Sequence, residues 1–231
     1  MGCVMTEPND NQGTTLRWEE HIVPILEHPN IHIRDKALIA VQWELHARPY
    51  ELHQLSFGDV EERGDYLAIT LHHRDGGKRT LMLCGSIPYL KKWVQAGHPV
   101  AELLSGDGTP IKEADPEVPL WTQTHSIKGI SRAMFRRIMR RACKYANVST
   151  EFTLYDIRRS RAKLLANQLG LRNPVLRERF GWGPHKDKDF ADTFEDEGLN
   201  EDLRPRPPIQ CPNCGAWTPP EQPCLWCEAG N

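Results

Sequence analysis

The stretch DYLAITLHHRDGGKRTLMLC, residues 65–84, limits the fold more than any other part of the chain. Both flanks alternate apolar and polar residues, the two-residue period of half-buried strands. RDGG between them is turn chemistry, so the segment predicts a β-hairpin. Almost every other patterned segment repeats at helical spacing. In IRDKALIAVQWELHA (33–47), Ile33, Ala37, Ala40, Val41 and Glu44 share one stripe, with Leu38 and Leu45 beside it. RPYELHQL follows, with Pro49 near its first helical position. LRWEEHIVPILEHP, ahead of both, reads as a short helix broken near Pro24 and Pro29. After the hairpin comes SIPYLKKWVQAG, with Ser86 as N-cap, Pro88 in the first turn and Gly97 as stop. SRAMFRRIMRRACKYANV is amphipathic, with Met134, Ile138, Ala142 and Tyr145 as its apolar stripe. YDIRRSRAKLLANQLG, NPVLRERFG and KDFADTFEDEG complete the series, and residues 98–127 show little pattern. One hairpin among helices predicts a mainly α chain with a small antiparallel sheet, an α+β fold.

Residues 1–15 are polar and are expected to be a disordered tail. Residues 16–203 have the length of one domain, 204–210 form a stiff Pro-rich linker, and 211–227 form a small unit of their own. No apolar run approaches the ~20 residues of a membrane span, so no membrane partner is expected. There is no secretory signal, and seven cysteines without one point to a reducing, cytoplasmic compartment. Charge is segregated. Between Lys128 and Lys188 sixteen Lys and Arg stand against four Asp and Glu, a local +12 in a chain whose total is −2. The remainder therefore carries −14. A basic region of this kind is the usual footprint of a polyanion partner.

CPNCGAWTPPEQPCLWC spaces Cys211, Cys214, Cys224 and Cys227 as C-x2-C-x9-C-x2-C. Two such knuckles supply four thiolates that can close a tetrahedron around Zn²⁺. A segment this short has no core of its own, and metal binding can supply on the order of 10–16 kcal/mol to fold it. Four protein ligands leave no open position, so the zinc is expected to be structural. The competing reading, two disulfides, needs an oxidising compartment.

Arg158, Arg159 and Arg161 crowd the start of a predicted helix, the end that already carries partial positive charge. Such crowding calls for an anion. ARPYELHQLSFGDV (47–60) has the form A-R-x-x-E-L-x-x-L-x-x-x-D-V, YDIRRSRA the form [H/Y]-x-x-R-[H/K/R]-x-x-A, and RFGWGPH lies one helix further on. In this order the segments resemble the catalytic domain of tyrosine recombinases, the phage-integrase family. The resemblance covers roughly residues 30–200, and the zinc ribbon after a Pro-rich linker is similar to archaeal integrase-like members. It implies double-stranded DNA as partner, a nucleoid-associated location, and further recombinase subunits. Family enzymes attack a DNA phosphodiester with a tyrosine, and two distant arginines grip the phosphate through aligned, charge-assisted bonds. The positions matching those arginines are Arg48 and Arg158, and Trp182 matches a third donor. The leaving-group lysine of the family sits on the hairpin. Lys78 is just past the turn, while Arg74 and Asp75 are closer in position. Arg132, Arg136, Arg137, Arg140, Arg159 and Arg161 are expected to be DNA-backbone or surface contacts. Arg48 taken alone reads as a helix-end salt bridge with Glu51, and Trp182 taken alone as core.

The chain departs from the family pattern at two positions. Tyr155 stands where a general acid/base histidine is implied, and a phenol of pKa ~10 is a poor base at neutral pH. Phe194 stands at the nucleophile position, and a benzyl ring cannot attack phosphorus. No tyrosine follows Tyr155. The expectation is a DNA-binding protein of this type without strand cleavage. The alternatives are an active recombinase that uses a donated or unconventional nucleophile, and an adaptor that works through its zinc ribbon.

Overall fold

The computed structural model describes residues 15–99, 115–148, 152–169, 174–182, 209–213, 215, 217–218 and 227. Helix α2 (Ile33–Leu45) is its axis. Residues 34–45 are buried apart from Lys36, so the expected stripe becomes a helix covered nearly all round. The cause is packing: α1 (Val23–Glu27), α4 (Ile87–Ala96), α5 (Arg132–Tyr145), α6 (Leu154–Leu169) and the sheet all lie against it. The expected break at Pro24 is instead a widened turn. Trp18–Ile22 is a π-helical turn that runs straight into α1, with Pro24 in its first turn. A proline ring clashes with the carbonyl four residues earlier, and a π-turn relieves that clash. α2 ends at His46, which takes a left-handed conformation (φ 49°). Arg48 then precedes the short α3 (Pro49–His53).

The hairpin is present and gains a third strand. β1 (Val60–Arg63), β2 (Tyr66–His72) and β3 (Lys78–Leu83) form one antiparallel sheet in that order, with Val60 opposite Ile69 and Ile69 opposite Leu81. His73 N–H donates to Gly77 O at 2.7 Å and closes the turn. Ser86 does not cap α4 with its side chain. The cap is Glu44 of α2, whose carboxylate accepts from the backbone N–H of Cys84 (2.6 Å), Gly85 (3.2 Å) and Ser86 (2.8 Å). A carboxylate against a helix N-terminus is favourable, and here it ties α4 to the central helix.

The unpatterned connection contains a second hairpin, β4 (Thr122–Gln123) with β5 (Ser126–Gly129). Two indoles anchor it: Trp93 Nε1 donates to Leu120 O and Trp121 Nε1 to Leu52 O, each at 2.8 Å. α5 starts at Ser131, whose Oγ accepts from Met134 N–H. Its buried face is Phe135, Ile138, Met139, Ala142 and Cys143, while Met134 and Tyr145 are exposed. The expected stripe is therefore rotated towards Phe135 and Met139. α7 (Pro174–Phe180) packs on α6 through Ala162, Ala166, Leu176 and Phe180. Near the C-terminus β6 (Ile209–Gln210) pairs with β7 (Trp217–Thr218), and β7 lies against α4. Phe194, Cys214 and Cys224 lie outside the described residues, as do the tail before residue 15 and most of the Pro-rich segment. Among the described residues no helix is long and apolar enough to cross a membrane.

Candidate oxyanion site and nucleic-acid interface

α6 begins with Thr153, whose N–H and hydroxyl donate to Asp156 Oδ2 at 2.8 and 2.6 Å. The anion at this helix start is thus Asp156, and Arg158, Arg159 and Arg161 fall in the second turn. The three arginines then go separate ways. Arg159 is exposed. Arg158 is buried and donates to His46 O (2.5 Å) and Phe180 O (2.8 Å), with its guanidinium over the Phe180 ring. Arg161 contradicts its expected surface role. It is 4 % exposed and stacked on Trp43, and its Nε and Nη1 have no hydrogen-bond partner among the described residues. Burial, then the neighbouring Arg179, lower its pKa to about 10. Helical spacing decides this: residues 158 and 161 are three apart and share the inner face of α6, whereas Arg159 points away.

Arg48 and Arg158, 110 positions apart in the chain, meet on the turn after α7. Arg48 Nη2 donates to Gly181 O at 2.8 Å and Arg158 to the adjacent Phe180 O. Burial and then the Arg48 charge lower the Arg158 pKa to about 10, so Arg158 remains a cation at neutral pH. Arg48 is held from below by Glu51, which is 1 % exposed. Glu51 Oε2 accepts from Arg48 N–H at 2.7 Å and Oε1 from Arg48 Nη1 at 2.8 Å. The same carboxylate takes a bidentate pair from Arg79, both bonds at 2.8 Å. Burial alone would raise the Glu51 pKa, but the bonds from Arg79 and Arg48 outweigh it and hold it at about 2. Arg79 is itself nearly buried and donates from Nε to Arg179 O at 3.0 Å. His73, from the hairpin turn, lies between Arg48 and Arg79.

Gly181 is where these groups converge. Its φ is +60°, and a Cβ there would lie 2.6 Å from His73 Cε1, 3.1 Å from Arg79 Nη1 and 3.3 Å from Arg48 Nη1. Only glycine serves both the conformation and the approach. Trp182 stacks on Phe180 with ring centroids 4.7 Å apart, and Phe180 stacks on His46 at 5.0 Å. His46 is fully buried. Burial and then Arg161 and Arg179 keep it neutral, with Nδ1 against Trp43 O (2.7 Å) and Nε2 accepting from Arg179 Nε (3.0 Å).

The other site residues are placed as follows. Tyr155 is exposed, three residues before Arg158 and on the same side of α6. Lys78 makes no contact with Arg48, Arg158 or Glu51 among the hydrogen bonds and ion pairs of the described residues. It opens β3 on the exposed face, and the strand alternation turns its neighbour Arg79 inwards with Leu81 and Leu83. That alternation is legible in KRTLML, so the signal for Arg79 was in the sequence. His73 left no sequence signal. Arg132, Arg136, Arg137, Arg140, Arg141 and Lys144 are all exposed on α5, away from its buried face. Cys211 Sγ and Cys227 Sγ stand 3.7 Å apart, and Asn213 Nδ2 is 3.4 Å from Cys227 Sγ.

Known structures place this fold in a class. The chain superposes on XerA recombinase with a TM-score of 0.57 and 15% identity, covering 82% of this chain and 62% of that one. It superposes on XerH site-specific recombinase bound to difH substrate with a TM-score of 0.54 and 20% identity, covering 73% and 47%. A lambda integrase dimer bound to a COC' core site gives 0.55 and 14% identity, covering 85% and 53%. The chain therefore shares the fold of these recombinase and integrase structures. The chain spans roughly half to three-fifths of those proteins. No family model and no curated protein matches it.

Proposed function

We propose that this protein binds duplex DNA in a recombination setting and does not cleave it. The observation that carries the reading is the meeting of Arg48 and Arg158 on the Phe180–Gly181 turn, in a fold shared with DNA-bound recombinases. Paired guanidiniums suit a backbone phosphate, because their planar donor forks match its oxygens and their charge opposes its own. The exposed cations of α5 supply a second patch, which suits the flanking duplex. Inertness rests on Phe194 at the nucleophile position and Tyr155 at the histidine position.

Two measurements test this together. Affinity for duplex DNA is expected to fall steeply with salt as neutralised phosphates release counterions. On a nicked suicide duplex, the purified chain is expected to form no covalent adduct. An adduct formed by the chain alone establishes the active-recombinase reading. An adduct that requires both this chain and a tyrosine-bearing recombinase, and that neither forms alone, establishes a donated nucleophile. Absence of duplex binding at low salt refutes the proposal.

The four C-terminal cysteines are read as a structural Zn²⁺ site. Thiolates bound to one tetrahedral zinc at about 2.3 Å lie roughly 3.8 Å from each other. Cys211 and Cys227 at 3.7 Å fit that spacing, and a disulfide would need about 2.05 Å. Gly215, with φ +71°, donates its N–H to Cys211 O at 2.8 Å and turns the first knuckle back on itself. Cys211, Cys214, Cys224 and Cys227 would hold the ion, whose role there is to fold the segment.

A further inference from the structure

His73 stands between two groups that can only donate. Its Nε2 is 2.8 Å from Arg79 Nη1 and its Nδ1 is 3.3 Å from Arg48 Nη1. A neutral imidazole has one accepting nitrogen and a guanidinium has none. Only one of these contacts can be a hydrogen bond. The shorter one assigns Nε2 as acceptor, which leaves the ring proton on Nδ1, facing Arg48. A second ring proton would oppose both guanidiniums at once. The charges facing His73 are Arg48 and Glu51 from the start of α3, Arg79 from β3, and Asp75 from its own turn. Glu51 Oε1 is 3.8 Å from Nδ1, but both arginines already bind that oxygen. Burial, then Arg79, keep the His73 pKa below its ordinary value.

We propose that docking of a phosphate-type oxyanion on Arg48 is coupled to the uptake of one proton by His73. The inference rests on Arg48 being a phosphate contact. An oxyanion draws the Arg48 donors towards itself, so the N–H opposed to Nδ1 turns away. It also adds negative charge beside the ring. Arg48, Arg79, Glu51 and neutral His73 sum to +1. A monoanion brings the cluster to zero, and a proton on His73 restores +1. No covalent bond changes. Only the proton moves, from solvent to Nε2, which then releases its bond from Arg79. Affinity for the oxyanion therefore rises as pH falls between the docked and free titrations of His73. The rise is about tenfold for each unit that separates them, with no change outside that window.

The probe is sulfate. The titration of His73 is followed by ¹⁵N NMR of the full chain in sodium sulfate and in sodium chloride at equal ionic strength. His73→Gln identifies the resonance, and assignment through the residue's own backbone replaces it should that variant not fold. The midpoint is expected to be higher in sulfate by about half a unit or more, and Arg48→Gln is expected to abolish the difference. Equal midpoints in the two salts overturn the inference, as does a shift that persists in Arg48→Gln. A chain that binds duplex without the sulfate shift refutes this coupling alone. A chain that shows the shift but binds no duplex refutes the DNA reading alone.

Discussion

Replacing Glu51 with Gln removes the anion between Arg48 and Arg79 while keeping the side chain's shape. The carboxyl is held at about 2 against an ordinary 4.5. Each pKa unit is about 1.4 kcal/mol of linkage, so Glu51 contributes about 3 kcal/mol near neutrality, or about 2–3 after allowing for residual water screening. Breaking a buried pair leaves the Arg79 cation without its partner, and such losses run at about 3–5 kcal/mol. Glu51→Gln is therefore expected to lower stability at pH 7 by about 3 kcal/mol in urea titrations. The sign follows from the depressed pKa. The contribution is fully present above the unfolded value near 4.5 and is lost as pH falls towards 2. The gap between wild type and variant should stay constant from pH 8 to about 5 and close by roughly half at pH 3. Equal stability at pH 7, or a gap that does not narrow in acid, would falsify the account of Glu51 as the ionised centre of this cluster.

Four further outcomes follow from the geometry. Arg161→Leu removes a buried cation with two nitrogens that have no partner among the described residues, so stability by urea titration should stay level or rise by about 1 kcal/mol or more, with duplex affinity unchanged. Gly181→Ala places a methyl group on His73 at a positive φ and should cost about 2–4 kcal/mol by the same assay. Arg136→Ala with Arg137→Ala should leave the melting temperature unchanged and reduce the slope of log affinity against log salt by about 0.9 for each phosphate that is no longer neutralised. Native mass spectrometry of the full chain should detect one zinc, absent after Cys211→Ser with Cys214→Ser.

Much of the framework was legible in the sequence. The alternation around RDGG is local, and local pattern suffices for a hairpin because turn chemistry and strand period act within a few residues. Arg48 and Arg158 were legible as a pair only because two motifs resembled one family in the right order. β1 and the β4–β5 hairpin were not legible. Their strands are short, and the second hairpin is held by bonds from Trp93 and Trp121 to distant carbonyls rather than by a pattern of its own. The rotated stripe of α5 shows the same limit. Met134 and Phe135 are both apolar, and only the neighbouring helices decide which one faces the core.

By itself, the sequence determined the first hairpin, the helices at 33–45, 87–96 and 132–145, the basic stretch from Lys128 to Lys188 and the two arginine motifs, because periodicity and spacing act along the chain. Tertiary structure alone decided that Glu51 serves two arginines. It also decided that Glu44 caps α4 and that Arg161 lies inside the protein. The physical reason is reach. These bonds join side chains to partners on other elements, 28 positions apart for Arg79 and Glu51 and 133 for Arg48 and Gly181. Spacing says which residues share a face, and packing says what that face meets.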